Sequence, residues 1–291
     1  MLASRAMSKP PATVRVGLAQ IDSRLGDLEG NFERHERWIH DARSQGVELL
    51  LFPELSLTGY RLLHLTPRVA INPYRSPAIA RLARAAAEMS VVVGLVEEDE
   101  QGVLYNCALL LHRGTIALAH RKIYLPSYGI FQEGRFFGEG KRLALAPLDG
   151  ANGQPCGARL GLLICEDLWH AELARRLARG GAKMIGVISA SPGRVGPGER
   201  PESQEDWETL TRAAALLNTS WVLYCNRVGW EEGTFYTGGS HIVRPGGEVL
   251  ARAPYLDENL LVADIDVLEV DRLRWKLPLL RAERIDVEGP E

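Results

Sequence analysis

Short apolar runs alternate with longer stretches of helical periodicity along almost the whole chain, and this alternation restricts the fold to layered α/β architectures. Val14–Gln20 (VRVGLAQ) reads as a first strand. A helix is expected from about Leu28, with Phe32, His35, Trp38, Ile39 and Ala42 recurring on one face. Gly46 stops it, and Val47–Phe52 (VELLLF) reads as a buried strand. Further strands are expected at Val91–Glu97, Tyr105–His112, Leu160–Ile164, Met184–Ser189, Trp221–Cys225, His241–Arg244 and Leu260–Ile265. Pro245-Gly246-Gly247 reads as a hairpin turn into Glu248–Arg252. Helices are expected at Pro77–Met89, Leu168–Arg179 and Glu205–Leu217. No repeat or low-complexity linker interrupts the pattern. Residues 13–291 are therefore expected to form a single domain behind a flexible leader, residues 1–12. The Gly- and Pro-rich stretch Ser191–Glu202 lies between a strand and a helix and reads as a site loop.

Composition narrows the function classes. A net charge of −3 without a sustained basic run argues against nucleic acid as a partner. The four cysteines, Cys107, Cys156, Cys165 and Cys225, form no CxxC pair, as expected in a reducing compartment. No apolar stretch approaches the ~20 residues that span a bilayer, and the first residues lack the apolar core of a secretory signal. A cytoplasmic protein is expected. The seven histidines form no HxH or HExxH pattern, there is no GxSxG, and Gly134–Arg142 lacks P-loop spacing. Neither metal nor organic cofactor is expected.

Three positions could carry chemistry. Glu54 follows the VELLLF strand in FPELSLTGY, where α/β sheets place functional loops, and a partly buried carboxylate there suits general-base work. Lys122, in HRKIYLP, leaves a strand and enters a loop dense in aromatic residues, where an ammonium could stabilise an oxyanion. Cys165 ends an apolar strand in LLICEDLW and a helix follows at once, so nearby N–H groups could lower its thiol pKa and bind an oxyanion. Taken singly, each has a plainer reading: an ion-paired glutamate, a surface lysine, an inert buried thiol. Cys225 also ends a strand but no helix start follows it, and Cys107 lies inside a strand and reads as packing.

In this order and spacing, FPELSLTGY, HRKIYLP and LLICEDLW resemble the nitrilase (carbon–nitrogen hydrolase) superfamily. The likeness extends from VRVGLAQ to the late LVADID strand. It implies a four-layer αββα sandwich with Glu54 as general base, Lys122 as transition-state stabiliser and Cys165 as nucleophile. A second glutamate often assists in this superfamily, and Glu133, in LPSYGIFQEGRFF, fits that place. YGIFQE and ICEDLW look most like the glutaminase domain of glutamine-dependent NAD synthetases. That likeness puts Tyr60, Tyr128, Glu166 and Ser191 in or beside the amide pocket, with Arg194 or Arg200 left as alternatives for gripping a substrate carboxylate. The SGGxDS-type loop of the synthetase portion has no match, because Gly238-Gly239-Ser240 lacks the Asp-Ser ending.

The resemblance thus implies a thiol-dependent hydrolase of a small carboxamide, with a glutamine-type side-chain amide favoured. It would act either free-standing, feeding ammonia to a separate synthetase, or as an amidase that reuses the pocket. The alternatives are a hydrolase of N-carbamoyl compounds or other aliphatic amides, and a catalytically silent binding protein on the same scaffold. The family's habit of pairing through the helix after the nucleophile implies a homodimer or larger homo-oligomer. The apolar residues Leu273, Trp275, Leu277 and Leu279 offer further contacts, to a partner or to the chain's own domain.

Overall fold

The computed structural model describes residues 13–150, 154–193 and 202–282. The expected leader, Arg194 and Arg200 lie outside them. One six-stranded sheet is built from β1 (Thr13–Gln20), β2 (Leu49–Leu51), β3 (Ser90–Glu98), β4 (Leu104–His112), β5 (Thr115–Arg121) and β14 (Asn259–Asp266), in the order β14-β1-β2-β3-β4-β5. The second holds β6 (Leu145–Gly150), β7 (Gln154–Ile164), β8 (Met184–Ser189), β9 (Trp221–Asn226), β12 (His241–Val243) and β13 (Val249–Arg252), in the order β13-β12-β9-β8-β7-β6. The two follow one plan. Three parallel strands, β1-β2-β3 or β7-β8-β9, are flanked by antiparallel neighbours on both sides. A hairpin of β10 (Val228–Glu231) and β11 (Thr234–Thr237) belongs to neither sheet.

The period-two alternation of the strands explains the layering. Val14, Val16, Leu18, Leu49, Leu51 and Val92 point into the core shared with the second sheet. Leu50, Val91, Val93 and Leu95 point the other way, toward α1 (Leu28–Ser44) and past the short α2 (Thr66–Val69) to α3 (Pro77–Ala85). Asp27 caps α1 by accepting the Gly30 N–H, and Ser76 caps α3 by accepting that of Ile79. After α4 (Glu133–Phe136), the outer face of the second sheet is covered by α5 (Ala171–Arg179) and α6 (Glu202–Asn218). Leu173 and Leu177 of α5 and Trp207 of α6 are buried in one continuous apolar cluster with the strands of the second sheet. The fold is the expected αββα sandwich, closed by α7 (Leu268–Lys276).

Differences from the sequence reading are local. The helix expected from Leu168 starts at Ala171, because Cys165–Trp169 wind as a 3-10 helix. The helix expected to reach Met89 ends at Ala85, where the chain turns to feed β3. Strand β6 (LAPLDG) carries a proline and lies at a sheet edge, and Gly229 and the paired glutamates obscure β10 and β11. In α7 Val270 is buried, whereas Trp275 is 81% exposed.

Two packing features bring the strand ends together. Gly94 in β3 lies under the turn after β2: a Cβ there would sit 2.3 Å from the Leu55 nitrogen and 2.6 Å from the Pro53 carbonyl oxygen. The turn is pinned by the Leu57 N–H on the Gly94 carbonyl and by the Ser56 hydroxyl, which meets His35 Nε2 at 2.9 Å. Asp167, fully buried, is the second feature. Its Oδ1 accepts the Ile123 and Tyr124 N–H groups, both at 3.0 Å, and its Oδ2 meets His120 Nε2 at 2.8 Å and the Ile164 N–H at 3.0 Å. One carboxylate thus ties the end of β5 to the end of β7. Burial pushes its pKa up, but the His120 contact and the backbone donors outweigh that and hold it below the usual aspartate value.

Gly94→Ala should destabilise the fold by about 1–3 kcal/mol through overpacking and displace the Glu54 turn, read as a lowered urea midpoint. Asp167→Ala strands His120 and three backbone donors and should cost about 3–5 kcal/mol. Because the folded pKa is lowered, that contribution is present above about pH 4 and is lost as the pH falls through the folded value. A wild-type-like denaturation midpoint for Asp167→Ala would contradict the clamp.

Candidate active site

Four side chains meet where β2, β5 and β7 end. Glu54 stands in the turn three residues beyond β2, Lys122 immediately follows β5, Cys165 immediately follows β7, and Glu133 opens α4. They are 1%, 0%, 6% and 4% exposed respectively. The Lys122 ammonium donates to Glu54 Oε1 at 2.7 Å and to Glu133 Oε1 at 2.6 Å, so one buried cation joins two buried carboxylates. Lys122 is placed by its own backbone: its N–H donates to the Asn106 carbonyl, and its carbonyl accepts the Gly140 N–H.

The remaining lone pairs are largely accounted for. Glu54 Oε1 also accepts from Asn106 Nδ2 at 2.8 Å, and its Oε2 accepts the Ala190 N–H, beyond β8, at 2.8 Å. Glu133 Oε1 also accepts the Tyr60 hydroxyl at 2.5 Å. Glu133 Oε2 is buried with no hydrogen-bond partner among the described residues. Glu133 also lines a small cavity of about 40 Å³, with Tyr60, Arg61, Ile130, Gln132 and Phe136 among others, enough for a water molecule.

The charges settle one another's protonation. Burial alone would push Lys122 toward its neutral form, but Glu133 and Glu54 together hold its pKa well above the ordinary value. Burial raises Glu133 to about 7, with Glu54 adding to the rise and Lys122 opposing it. The thiol of Cys165 is pushed well above its ordinary value by burial and then by the Glu54 carboxylate, against the pull of Lys122. This overturns the expectation that the following helix would lower the thiol pKa. The segment is a five-residue 3-10 turn, and desolvation next to a carboxylate dominates. Cys165 itself sits at φ +46°, a strained conformation for a non-glycine residue at a tight strand-to-helix turn.

The pocket residues expected from the family likeness are distributed around this cluster. Tyr60 is hydrogen-bonded directly to Glu133. Tyr128, 56% exposed, donates its hydroxyl to Glu166 Oε2 at 2.8 Å, just beside Cys165 in sequence. Ser191 is buried: its hydroxyl accepts the Trp207 indole N–H at 2.6 Å, and its N–H donates to Asn226 Oδ1. Its neighbour Ala190 supplies the contact to Glu54. Cys225 lies between the sheets with its thiol against the Leu51 carbonyl, and Cys107 is buried in β4. Asn106 and Asp167 were missed in the sequence. The signal for Asn106 is a lone amide within the apolar run of β4; Asp167 stood inside ICEDLW without an assigned role. Among the described residues no group of three or more His, Cys, Asp or Glu is arranged to hold a metal, and no helix is long and apolar enough to cross a membrane.

Comparison with known proteins identifies the family of the chain. The chain is 33% identical over 260 residues to a glutamine-dependent NAD(+) synthetase of Thermotoga maritima, covering 88% of this chain and 42% of that protein. It is 30% identical over 253 residues to the corresponding protein of Acinetobacter baylyi, covering 87% and 44%. The chain therefore spans a little under half the length of these curated relatives. An amidase structure from Nesterenkonia sp. superposes with a TM-score of 0.75 at 25% identity, covering 92% of this chain and 96% of that one. The carbon-nitrogen hydrolase family profile matches residues 15–274. By this match the chain belongs to the carbon–nitrogen hydrolase family and is an enzyme of the nitrilase superfamily.

Proposed function

We propose that this enzyme hydrolyses the C–N bond of a small carboxamide through a thioester on Cys165, releasing ammonia. The observation that carries the reading is the buried Glu54–Lys122–Glu133 chain within electrostatic reach of the Cys165 sulfur. With the thiol pKa raised, the resting sulfur is protonated and needs a base at the moment of attack. Glu54 takes that proton as the sulfur bonds to the amide carbon. The C=O π electrons move onto oxygen, where the Lys122 ammonium and the Glu166 backbone N–H stabilise the oxyanion. Glu54 returns the proton to the departing nitrogen, the C–N bond breaks, and ammonia leaves a thioester. Water then gives a proton to Glu54 and attacks the thioester, and the carboxylic acid departs as the thiol is restored. Glu133 keeps Lys122 charged throughout and offers its unpartnered Oε2 to the water.

A glutamine-type side-chain amide is favoured as substrate. The names of the curated relatives support it, as does the Glu166–Tyr128 pair, whose carboxylate suits an ammonium on the substrate. The amidase likeness supports simple aliphatic amides as the second reading. A separate ammonia-accepting synthetase would fit the first. A second copy of this chain would fit the groove of about 490 Å³ between α5 and α6, where Leu217 is 56% and Trp169 46% exposed.

Cys165→Ala should abolish ammonia release across glutamine, asparagine, simple amides and carbamoyl amino acids, while Cys225→Ala stays within a few-fold of wild type. Equal losses in both variants would refute the nucleophile assignment; best turnover on a carbamoyl amino acid would refute the carboxamide reading. With Glu133 at about 7 and active when ionised, kcat/KM should rise through a transition near pH 7. Glu133→Gln should lower activity and flatten that rise. An unchanged transition in Glu133→Gln would assign the limb to another group.

A further inference from the structure

The loop that carries Tyr60 is held from outside both sheets. Glu231, at the end of β10 and 5% exposed, accepts the Tyr60 N–H on Oε1 at 2.9 Å and the Arg61 N–H on the same oxygen at 2.5 Å. Its Oε2 accepts from Arg227 Nη1 at 2.6 Å. Arg227 is 1% exposed; its Nη2 donates to Asp22 and to the Ser23 carbonyl, and its guanidinium lies 4.3 Å from the centre of the Tyr236 ring. The fit leaves no slack at the preceding residue. Gly59 has φ +80°, and a Cβ there would lie 2.9 Å from Glu231 Oε2 and 2.7 Å from the Leu25 Cα.

A buried carboxylate that accepts two successive backbone N–H groups fixes the direction in which the intervening side chain leaves the main chain. Here that side chain is Tyr60, whose hydroxyl ends on Glu133 Oε1, the oxygen that Lys122 also occupies. Two donors on Oε1 hold the Glu133 carboxylate in one orientation and leave Oε2 as its unpartnered oxygen.

We infer that Glu231, braced by Arg227, is a positioning residue that acts through Tyr60 to present Glu133 Oε2 as the working oxygen of the site. The inference deepens the hydrolase reading and rests on it. Glu133 is faced by Lys122 from the end of β5, by Glu54 from the turn after β2, by Tyr60 from the loop beyond, and at longer range by Cys165 from the end of β7. Of these, the Tyr60 hydroxyl favours the ionised carboxylate by hydrogen bonding, so its withdrawal moves the Glu133 titration upward.

The test compares full-length wild type with Tyr60→Phe, Glu231→Gln and the double variant. The Glu133 carboxyl titration is followed by carbon NMR, alongside the pH dependence of ammonia release and hydrogen exchange at the Tyr60 and Arg61 amides. Each single variant should raise the Glu133 midpoint by about half a pH unit or more, and the double variant should move it no further than the larger single one. In Glu231→Gln the two amides should exchange about tenfold faster or more. A Glu133 midpoint unmoved in folded Glu231→Gln overturns the inference, even if turnover or stability falls. If Glu231→Gln does not fold, Glu231→Asp keeps the charge beside Arg227, draws the carboxylate back from the amides, and carries the same expectations. A wild type that releases no ammonia from any amide sinks the hydrolase reading, while the NMR titration still decides whether Glu231 controls Glu133.

Discussion

An ammonium with no access to water, held between two carboxylates, is the interaction on which the rest of this structure depends. Desolvating three charges at one point is strongly unfavourable, and their mutual attraction offsets it only when the remaining lone pairs are satisfied as well. The surroundings of Lys122 meet that condition at every carboxylate oxygen but one: Asn106, the Ala190 N–H and the Tyr60 hydroxyl serve Glu54 and Glu133 Oε1, leaving Glu133 Oε2 open. The members come from separate segments of the chain, which makes the site a property of the assembled fold rather than of any one loop. The same coupling ranks the protons. Lys122 keeps its charge, the thiol keeps its hydrogen, and Glu133 is balanced near neutrality.

The supports of this cluster are themselves buried polar contacts. Asp167 joins the ends of β5 and β7, and Glu231 joins a hairpin to the loop beyond Glu54. Each carboxylate answers backbone N–H groups that turn formation leaves unpaired. Irregular backbone near the site is thus stabilised by side chains from distant segments, and the irregularity in turn gives Cys165 its strained strand-to-helix turn.

Much of this was legible in the sequence, and the division has a physical basis. The β8 strand, the start of α1 and the β12–β13 hairpin announce themselves through local periodicity and turn chemistry. Glu54 and Cys165 stand out because each follows an apolar strand with a reactive group, Lys122 because it leaves a strand for an aromatic-rich loop, and the family likeness supplied Glu133. What stayed hidden is what depends on pairing across the chain. Asn106, Asp167, Arg227 and Glu231 are polar residues whose partners lie up to 205 residues away, as for Arg227 and Asp22. Apart from the apolar run around Asn106, no local pattern distinguishes them from surface residues. The thiol was misjudged for a related reason: the helix start was visible, whereas the depth of burial and the approach of Glu54 belong to the tertiary structure.

The two sheets meet closely just below the reactive groups. A Cβ on Gly186 of β8 would lie 3.1 Å from a methyl of Leu162 in its own sheet and 3.1 Å from a methyl of Leu51 across the core. Glu54 rides on the first layer, three residues past Leu51, while Cys165 and the Ala190 amide ride on the second. In the proposed reaction, the distance a proton crosses between Glu54 and Cys165 is therefore gauged by the thickness of the hydrophobic filling. A core that swelled by a fraction of a methyl group would stretch that hop without touching a single polar atom, so the tolerance of the chemistry is set by aliphatic packing.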